Sequence, residues 1–105
     1  MHRHIITLKF KDDATPEQIA DVESGFRAIY ESMPGMLELS MGRNVSESSR
    51  AKRYDWGMTM DFATRSAYRE YSNGEPHDTL VAEKLVPIVA GISGFDYDIG
   101  ETPEG

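Results

Sequence analysis

Residues 54–62, with the sequence YDWGMTMDF, limit the fold of this chain more strongly than any other segment. Every second residue is a large apolar side chain, and the residues between them are small or polar. Such alternation sends the two sets of side chains to opposite faces of a β-strand. The segment therefore predicts a strand with one strongly apolar face, which a layer of helices would cover.

Three other segments show the same period of two. They are residues 2–10 (HRHIITLKF), residues 36–45, where the alternation runs through Leu37 and Met41, and residues 92–99 (ISGFDYDI). We expect three further strands from this pattern.

The segment between the first two strands has helical periodicity instead. Thr15, Pro16 and Gln18 form a typical helix N-terminus, because the hydroxyl can cap, proline fits the first turn and glutamine completes a capping box. Pro34 and Gly35 are expected to end this helix. Its apolar residues recur at spacings of three and four: Ile19, Val22, Phe26, Ile29 and Met33.

Two more helices are predicted before the last strand. Residues 63–74 end in Asn73 and Gly74, a pair suited to a left-handed stop. Residues 77–89 form the second helix, which Pro87 should kink or end. The polar stretch 46–53 predicts a loop, and we expect its basic residues to be solvated: Arg50, Lys52 and Arg53.

The elements thus follow the order strand, helix, strand, strand, helix pair, strand. This is the split βαβ order of ferredoxin-like folds, an α+β class with a four-stranded antiparallel sheet and helices on one face. We expect one domain over residues 1–99 and a flexible acidic tail over residues 100–105. The second face of the sheet carries few charges, so another sheet could pack against it.

Composition excludes several classes of function. The chain has 105 residues with 11 Lys and Arg against 18 Asp and Glu, and its formal charge of -7 disfavours nucleic acid and anionic membrane surfaces as partners. It has no cysteine, which excludes disulfides and thiolate metal sites. His2 and His4 lack a nearby third ligand, so we expect no metal. We expect a cytoplasmic protein without a cofactor.

Four segments, in this order and at these spacings, resemble the stress-responsive dimeric α/β barrel (Dabb) family: RHIITLKFK, GRNVS, YDWGMTMDF and HDTLVAEKLVPIV. The resemblance covers residues 2–98. It implies a ferredoxin-like protomer whose sheet packs against that of a second copy, so that a homodimer closes an eight-stranded barrel.

The family includes plant polyketide cyclases of the olivetolic acid type, which close a poly-β-keto chain by an aldol condensation. The resemblance implies that His77 is the general base, that Tyr71 holds the substrate carbonyl and that His4 lines the pocket. It also implies an apolar lining: Ile6, Leu8, Phe26, Met58, Leu80, Val81 and Ile88. One departure is that many members have a His-Pro pair before the base, where this chain has Gly74 and Glu75.

The chemistry suits these residues, because histidine titrates near a pKa of about 6.5 and a phenol can donate to an enolate oxygen. Proton abstraction followed by aldol-type cyclisation of a polyketide-like ligand is therefore one hypothesis. A second is a stress-associated or ligand-binding dimer without chemistry, with His77 solvated and Tyr71 in the core. A third is a monooxygenase of the related dimeric barrel architecture, although its characteristic Asn, Trp and His set is not evident.

Overall fold

The computed structural model describes residues 1–48 and 53–105. In chain order the elements are β1 (His2–Phe10), α1 (Pro16–Ser32), β2 (Met36–Arg43), β3 (Trp56–Phe62), α2 (Arg65–Ser72), α3 (Glu75–Leu80) and β4 (Val89–Asp98). A π-helical turn, Val81–Leu85, and a 3-10 turn, Val86–Ile88, connect α3 to β4. Within the predicted loop, Arg50 and Lys52 lie outside the described residues.

The four strands form one antiparallel sheet in the order β2-β3-β1-β4. The predicted order of elements and the ferredoxin-like α+β fold are confirmed. The central strand β1 pairs with β3 from His2 to Leu8 and with β4 from His2 to Phe10. This register brings the start of β1 next to the end of β4, where the candidate site lies.

Helix α1 begins as the sequence predicts. The Thr15 hydroxyl accepts a hydrogen bond from the Gln18 backbone N–H at 3.1 Å, and the Gln18 side chain accepts one from the Thr15 N–H at 2.9 Å. The reciprocal pair satisfies two N–H groups that the helix cannot satisfy itself. Pro87 lies in the last turn before β4 and ends the helical segment there.

The core lies between the helices and one face of the sheet. Leu8, Met60 and Phe62 from β1 and β3 have no exposed surface, and Val22 and Phe26 of α1 are 1% and 2% exposed. Burial of such side chains contributes about 1.5–3 kcal/mol each. The helices thus cover the apolar face that the alternation predicted.

Within residues 1–48 and 53–105, no helix covers the second face of the sheet. On β4, Phe95 and Tyr97 are 66% and 43% exposed, and they pair with Ile5 and Arg3 of β1. Arg3 also forms a bidentate ion pair with Asp61, both contacts at 2.8 Å. This face therefore exposes an apolar strip, formed by Phe95 and Tyr97, beside the ion pair of Arg3 and Asp61.

The side-chain facing predicted from the alternation in β2 was wrong at the first residues of the strand. Leu37, predicted to face the core, is 42% exposed, whereas Met36 is 3% exposed. The pairing of β2 with β3 shifts between Met36 and Glu38. A bulge of this kind moves the side chains before it to the opposite face.

The predicted left-handed stop at Asn73 and Gly74 was also wrong. Asn73 has φ −103° and Gly74 has φ −82°, so neither residue is left-handed. Gly74 precedes α3 directly, and its carbonyl accepts a hydrogen bond from the Asp78 N–H at 3.1 Å. The chain therefore turns from α2 into α3 without a left-handed residue.

The C-terminal residues contact the start of α2, and the boundary at residue 99 with a flexible acidic tail over residues 100–105 stays a prediction. The carbonyls of Pro103 and Glu104 accept hydrogen bonds from the first two N–H groups of α2, those of Arg65 and Ser66, at 2.8 and 2.7 Å. The Glu104 carboxylate also lies 3.0 Å from the Arg69 guanidinium. Free N–H groups at a helix start need acceptors, and the tail supplies them.

None of the helices in residues 1–48 and 53–105 has the length and apolar character that a membrane-spanning helix needs.

Candidate functional site

Tyr71 lies at the centre of the candidate site. It is on α2, 3% exposed, and its ring centroid is 5.4 Å from that of Phe62 on β3. Burial, and secondly the neighbouring Tyr68, raises the pKa of the Tyr71 hydroxyl far above its ordinary value of 10. The hydroxyl therefore keeps its proton at neutral pH and can act as a hydrogen-bond donor.

His77 packs against one side of Tyr71. The ring centroids are 4.9 Å apart, and the ring planes are 70° to each other. The Nδ1 atom of His77 lies 3.0 Å from the carboxylate of Asp78, the next residue in the chain. The His77 side chain is 26% exposed. The structure thus brings together the two residues that the resemblance names as catalytic; their roles stay a prediction.

His4 lies on another side of Tyr71, with the ring centroids 6.2 Å apart. Its Nδ1 atom is 2.8 Å from Oδ1 of Asp96 on β4, and its side chain is 13% exposed. Tyr68 lies beside it, with ring centroids 5.4 Å apart. Two imidazole rings, those of His77 and His4, therefore lie beside the buried phenol ring of Tyr71.

His2, which the sequence suggested only as a rejected metal ligand, also belongs to this site. It is 4% exposed and stacks on Tyr68 with ring centroids 4.1 Å apart. Its Nε2 atom lies 2.5 Å from Oδ2 of Asp96, and its Nδ1 atom lies 2.7 Å from the Arg65 guanidinium. Arg65 in turn forms a bidentate pair with Asp98.

The sequence analysis missed Asp96, Asp98 and Arg65 as members of this site. A signal was present: two aspartates two residues apart on β4 match two histidines two residues apart on β1. Only the strand register, His2 with Asp98 and His4 with Asp96, makes that match visible.

Most of the predicted apolar lining residues belong to the packed core. Five of them are at most 8% exposed and belong to the core: Leu8, Phe26, Met58, Leu80 and Ile88. Ile6 and Val81 are half-buried against the same core. These side chains are therefore part of the same packed core as Tyr71.

Two openings lie beside the core. One of about 730 Å³ lies at the other end of β1, where its walls include Phe10, Ile19, Tyr54 and Trp56. At roughly 3.3 Å per strand residue, Phe10 is about 20 Å from His4 along β1. A groove of about 460 Å³ between α1 and α3 has in its wall Leu80, one of the predicted lining residues, and Pro76, one residue before His77.

The imidazoles are not arranged as a metal site. Among the residues that the structure describes, no group of three or more His, Asp or Glu side chains is arranged so that it could hold a metal ion. His2 and His4 instead bind the two oxygens of one carboxylate, that of Asp96.

Solved structures share this fold. A protein of Arabidopsis thaliana is 20% identical with a TM-score of 0.85, over 97% of this chain and 98% of its own. A dimeric ferredoxin-like protein of unknown function from Thermobifida fusca is 20% identical with a TM-score of 0.79, over 93% and 90%. The hydroxynitrile lyase of Passiflora edulis is 20% identical with a TM-score of 0.83, over 96% and 94%.

No curated protein sequence matches this chain significantly. The sequence profile of the stress-responsive A/B barrel domain matches residues 3–99, which is nearly the whole chain. This protein therefore belongs to the stress-responsive A/B barrel domain (Dabb) family.

Proposed function

We propose that this protein is a homodimeric enzyme that abstracts a proton from an enolisable carbonyl compound of the polyketide type, which then closes by an aldol-type reaction. The observation that carries the proposal is the contact of the Tyr71 phenol with the His77 imidazole, with His4 on another side of the same ring. A base and a donor side by side are what enolisation needs.

In this proposal His77 removes the proton from the carbon between two carbonyl groups. Tyr71 donates a hydrogen bond to the enolate oxygen, which its raised pKa permits because the hydroxyl stays protonated. Positioned acid–base groups of this kind contribute rate factors of about 10²–10⁴. A proton transfer followed by carbon–carbon bond formation leaves the oxidation level unchanged, so the proposal includes no redox cofactor.

The Passiflora edulis hydroxynitrile lyase supports the proposal only at the level of the fold, since its identity with this chain is 20%. It illustrates that a protein with this architecture can be a lyase. A cytoplasmic location remains part of the proposal and rests on the amino-acid sequence alone.

The homodimer is proposed from the uncovered face of the sheet. Phe95 and Tyr97 expose apolar surface there, and an exposed cluster of this type on a sheet is suited to a second sheet. The Thermobifida fusca protein of similar fold is described as dimeric. Pairing would also enlarge the core available to a chain of 105 residues.

One observation favours a second candidate, a stress-associated or ligand-binding dimer without chemistry. The side chains expected to line the substrate pocket are packed in the core, with Leu8, Phe26 and Met58 at most 3% exposed. Catalysis on a large substrate would require these side chains to move, whereas a binding or assembly role would not.

Exchange of carbon-bound protons for deuterium tests the proposal directly. Simple β-dicarbonyl compounds with alkyl or aryl substituents are incubated with the protein in D₂O, and NMR follows loss of the proton between the carbonyl groups. We expect exchange above the buffer rate, a decrease of about 100-fold in His77→Gln, and a smaller decrease in Tyr71→Phe. Tyr30→Phe is the matched control, because Tyr30 is on α1 and its hydroxyl contacts Leu37.

Exchange at the buffer rate in the wild-type protein would exclude the enzymatic proposal for these compounds and favour the binding dimer. Equal rates in wild type and His77→Gln would remove His77 from the mechanism.

A further inference from the structure

A chain of hydrogen bonds joins three elements beside Tyr71. Arg65 of α2 contacts His2 of β1, and both His2 and His4 contact Asp96 of β4. We call these four residues, Arg65, His2, Asp96 and His4, the histidine relay. In the sequence, Asp96 is 94 residues from His2 and 92 residues from His4, so only the folded sheet brings them together.

The guanidinium of Arg65 determines which nitrogen of His2 carries the proton. Nη1 of Arg65 lies 2.7 Å from Nδ1 of His2. Arginine has only donors, so this nitrogen of His2 must be an unprotonated acceptor. The proton of His2 then lies on Nε2, which donates to Oδ2 of Asp96 at 2.5 Å.

Asp96 in turn determines the tautomer of His4. Burial alone would raise the pKa of Asp96, but the hydrogen bonds from His2 and His4 outweigh it and lower the pKa below the ordinary 3.8. The ionised carboxylate can only accept hydrogen bonds. Nδ1 of His4, 2.8 Å from Oδ1, must therefore be the donor.

The other nitrogen of His4, Nε2, is left with a lone pair. In the part of the chain that the structure describes, Nε2 has no hydrogen-bond partner, and no fully buried side-chain nitrogen or oxygen lacks one. Nε2 is therefore not fully buried, in a side chain that is 13% exposed. The groups facing His4 are Tyr68 and Tyr71 of α2 and Asp96 of β4.

We infer that the histidine relay makes His4 a second proton acceptor of the site, which takes a substrate proton at Nε2 while Asp96 balances the positive charge. The reaction in this inference rests on the proposed function, whereas the tautomers do not. In the step, His77 takes the first proton of the methylene group between the two carbonyls and His4 takes the second. That second carbon–hydrogen bond breaks, its electron pair becomes an enolate and the proton bonds to Nε2 of His4. The same proton returns to the enolate oxygen, which leaves the product as its enol.

The two imidazoles beside Tyr71 differ in the carboxylate that each one contacts. The Asp96 side chain is 30% exposed and comes from another strand, whereas Asp78, the partner of His77, is 66% exposed and adjacent in sequence. A charge pair that is sheltered from water interacts more strongly than one in solvent. His4 is thus the better supported acceptor, with Asp96 as its positioning residue.

The tautomers are tested without any substrate. Long-range proton–nitrogen correlation spectra of the full chain, labelled with ¹⁵N, distinguish protonated from unprotonated ring nitrogens. We expect His4 to carry its proton on Nδ1 and His2 on Nε2 at neutral pH. Arg65→Gln should abolish the preference of His2, and Arg69→Gln, on the same helix, should not. A His4 protonated on Nε2, or an equal mixture of its tautomers, overturns the inference.

Kinetics of the deuterium exchange test the role of Asp96. We expect Asp96→Asn to lower kcat about 10–100-fold with KM nearly unchanged, and Asp96→Glu to restore part of the rate. Asp21→Asn, at a surface carboxylate paired with Lys84, is the control. Backbone amide spectra of each variant establish that the fold is retained.

The outcomes separate the two proposals. A loss of exchange in His77→Gln together with a full rate in Asp96→Asn overturns the role of His4 and leaves the proposed function standing. No exchange in the wild-type protein removes the proposed function and the catalytic role of His4 together, and the tautomer spectra then decide the relay by themselves.

Discussion

The Tyr71 phenol ring lies at 70° to the His77 imidazole, with ring centroids 4.9 Å apart. This edge-to-face contact links α2 to α3 across the turn at Gly74. It joins a fully buried side chain to one that is a quarter exposed, so the pair reaches from the core to the surface. His77 is the more exposed member of the pair, so a substrate can reach the pair from the His77 side.

Tyr71 should contribute strongly to stability whether or not it takes part in catalysis. Replacing it with Ala removes a ring that is 3% exposed and leaves a cavity, so we expect a loss of about 3–5 kcal/mol in the free energy of unfolding. Tyr71→Phe keeps the ring and serves as the control, with a loss well below that of Ala. Urea unfolding measures both variants, and equal losses would show that the hydroxyl, not the ring, determines the stability.

The turn before α3 should tolerate no side chain. A Cβ atom at Gly74 would lie 2.7 Å from the backbone oxygen of Glu70, which cannot move without distorting the end of α2. We expect Gly74→Ala to lower the free energy of unfolding by about 1–3 kcal/mol and to weaken the cross-peaks between the Tyr71 and His77 rings. Gly42→Ala is the matched control, because its Cβ would meet nothing within 4 Å. A fully stable Gly74→Ala protein with unchanged cross-peaks would contradict this view of the turn.

Local patterns explain why much of the fold could be predicted. Alternation assigns the faces of a strand and a spacing of three or four assigns the face of a helix, and both depend only on near neighbours. The capping box of Thr15 and Gln18 is local in the same way. The bulge in β2 was missed because Met36 and Leu37 are both apolar, so the sequence fits either face.

The candidate site could be predicted only in part. Tyr71 and His77 are six residues apart, and the resemblance to a family identified them. The contacts of His2 and His4 with Asp96 depend on the register of β1 against β4, which no local pattern encodes. Whether apolar side chains such as Leu8 and Met58 leave space or fill it depends on rotamers and packing, which periodicity does not determine.

Acid should weaken the contact of β4 with α2. Hydrogen bonds from Arg65, and secondly from Thr102, lower the pKa of Asp98 from 3.8 to about 2. Because the folded pKa lies below the unfolded one, this contribution to stability is complete above about pH 4 and is lost as the pH falls towards 2. Thermal unfolding between pH 7 and pH 2 should show a lower Tm for Asp98→Asn at neutral pH and convergence with wild type near pH 2. Curves that stay parallel over the whole range would assign the stabilisation to another group.

The uncovered sheet face should hold the two copies of the proposed dimer together. Phe95 is 66% exposed on the edge strand β4 and pairs with Ile5 of β1. A carboxylate at this position would be buried without a partner when two sheets meet. We expect wild-type protein at micromolar concentration to scatter light as twice the chain mass of 11.8 kDa, and Phe95→Glu to scatter as a single chain. Val45→Glu is the control, since Val45 is 89% exposed in the segment after β2 and carries the same change in charge. A wild-type protein that stays monomeric would remove the proposed dimer. A Phe95→Glu protein that stays dimeric would place the interface on another surface, because the apolar strip would then have no sheet packed on it.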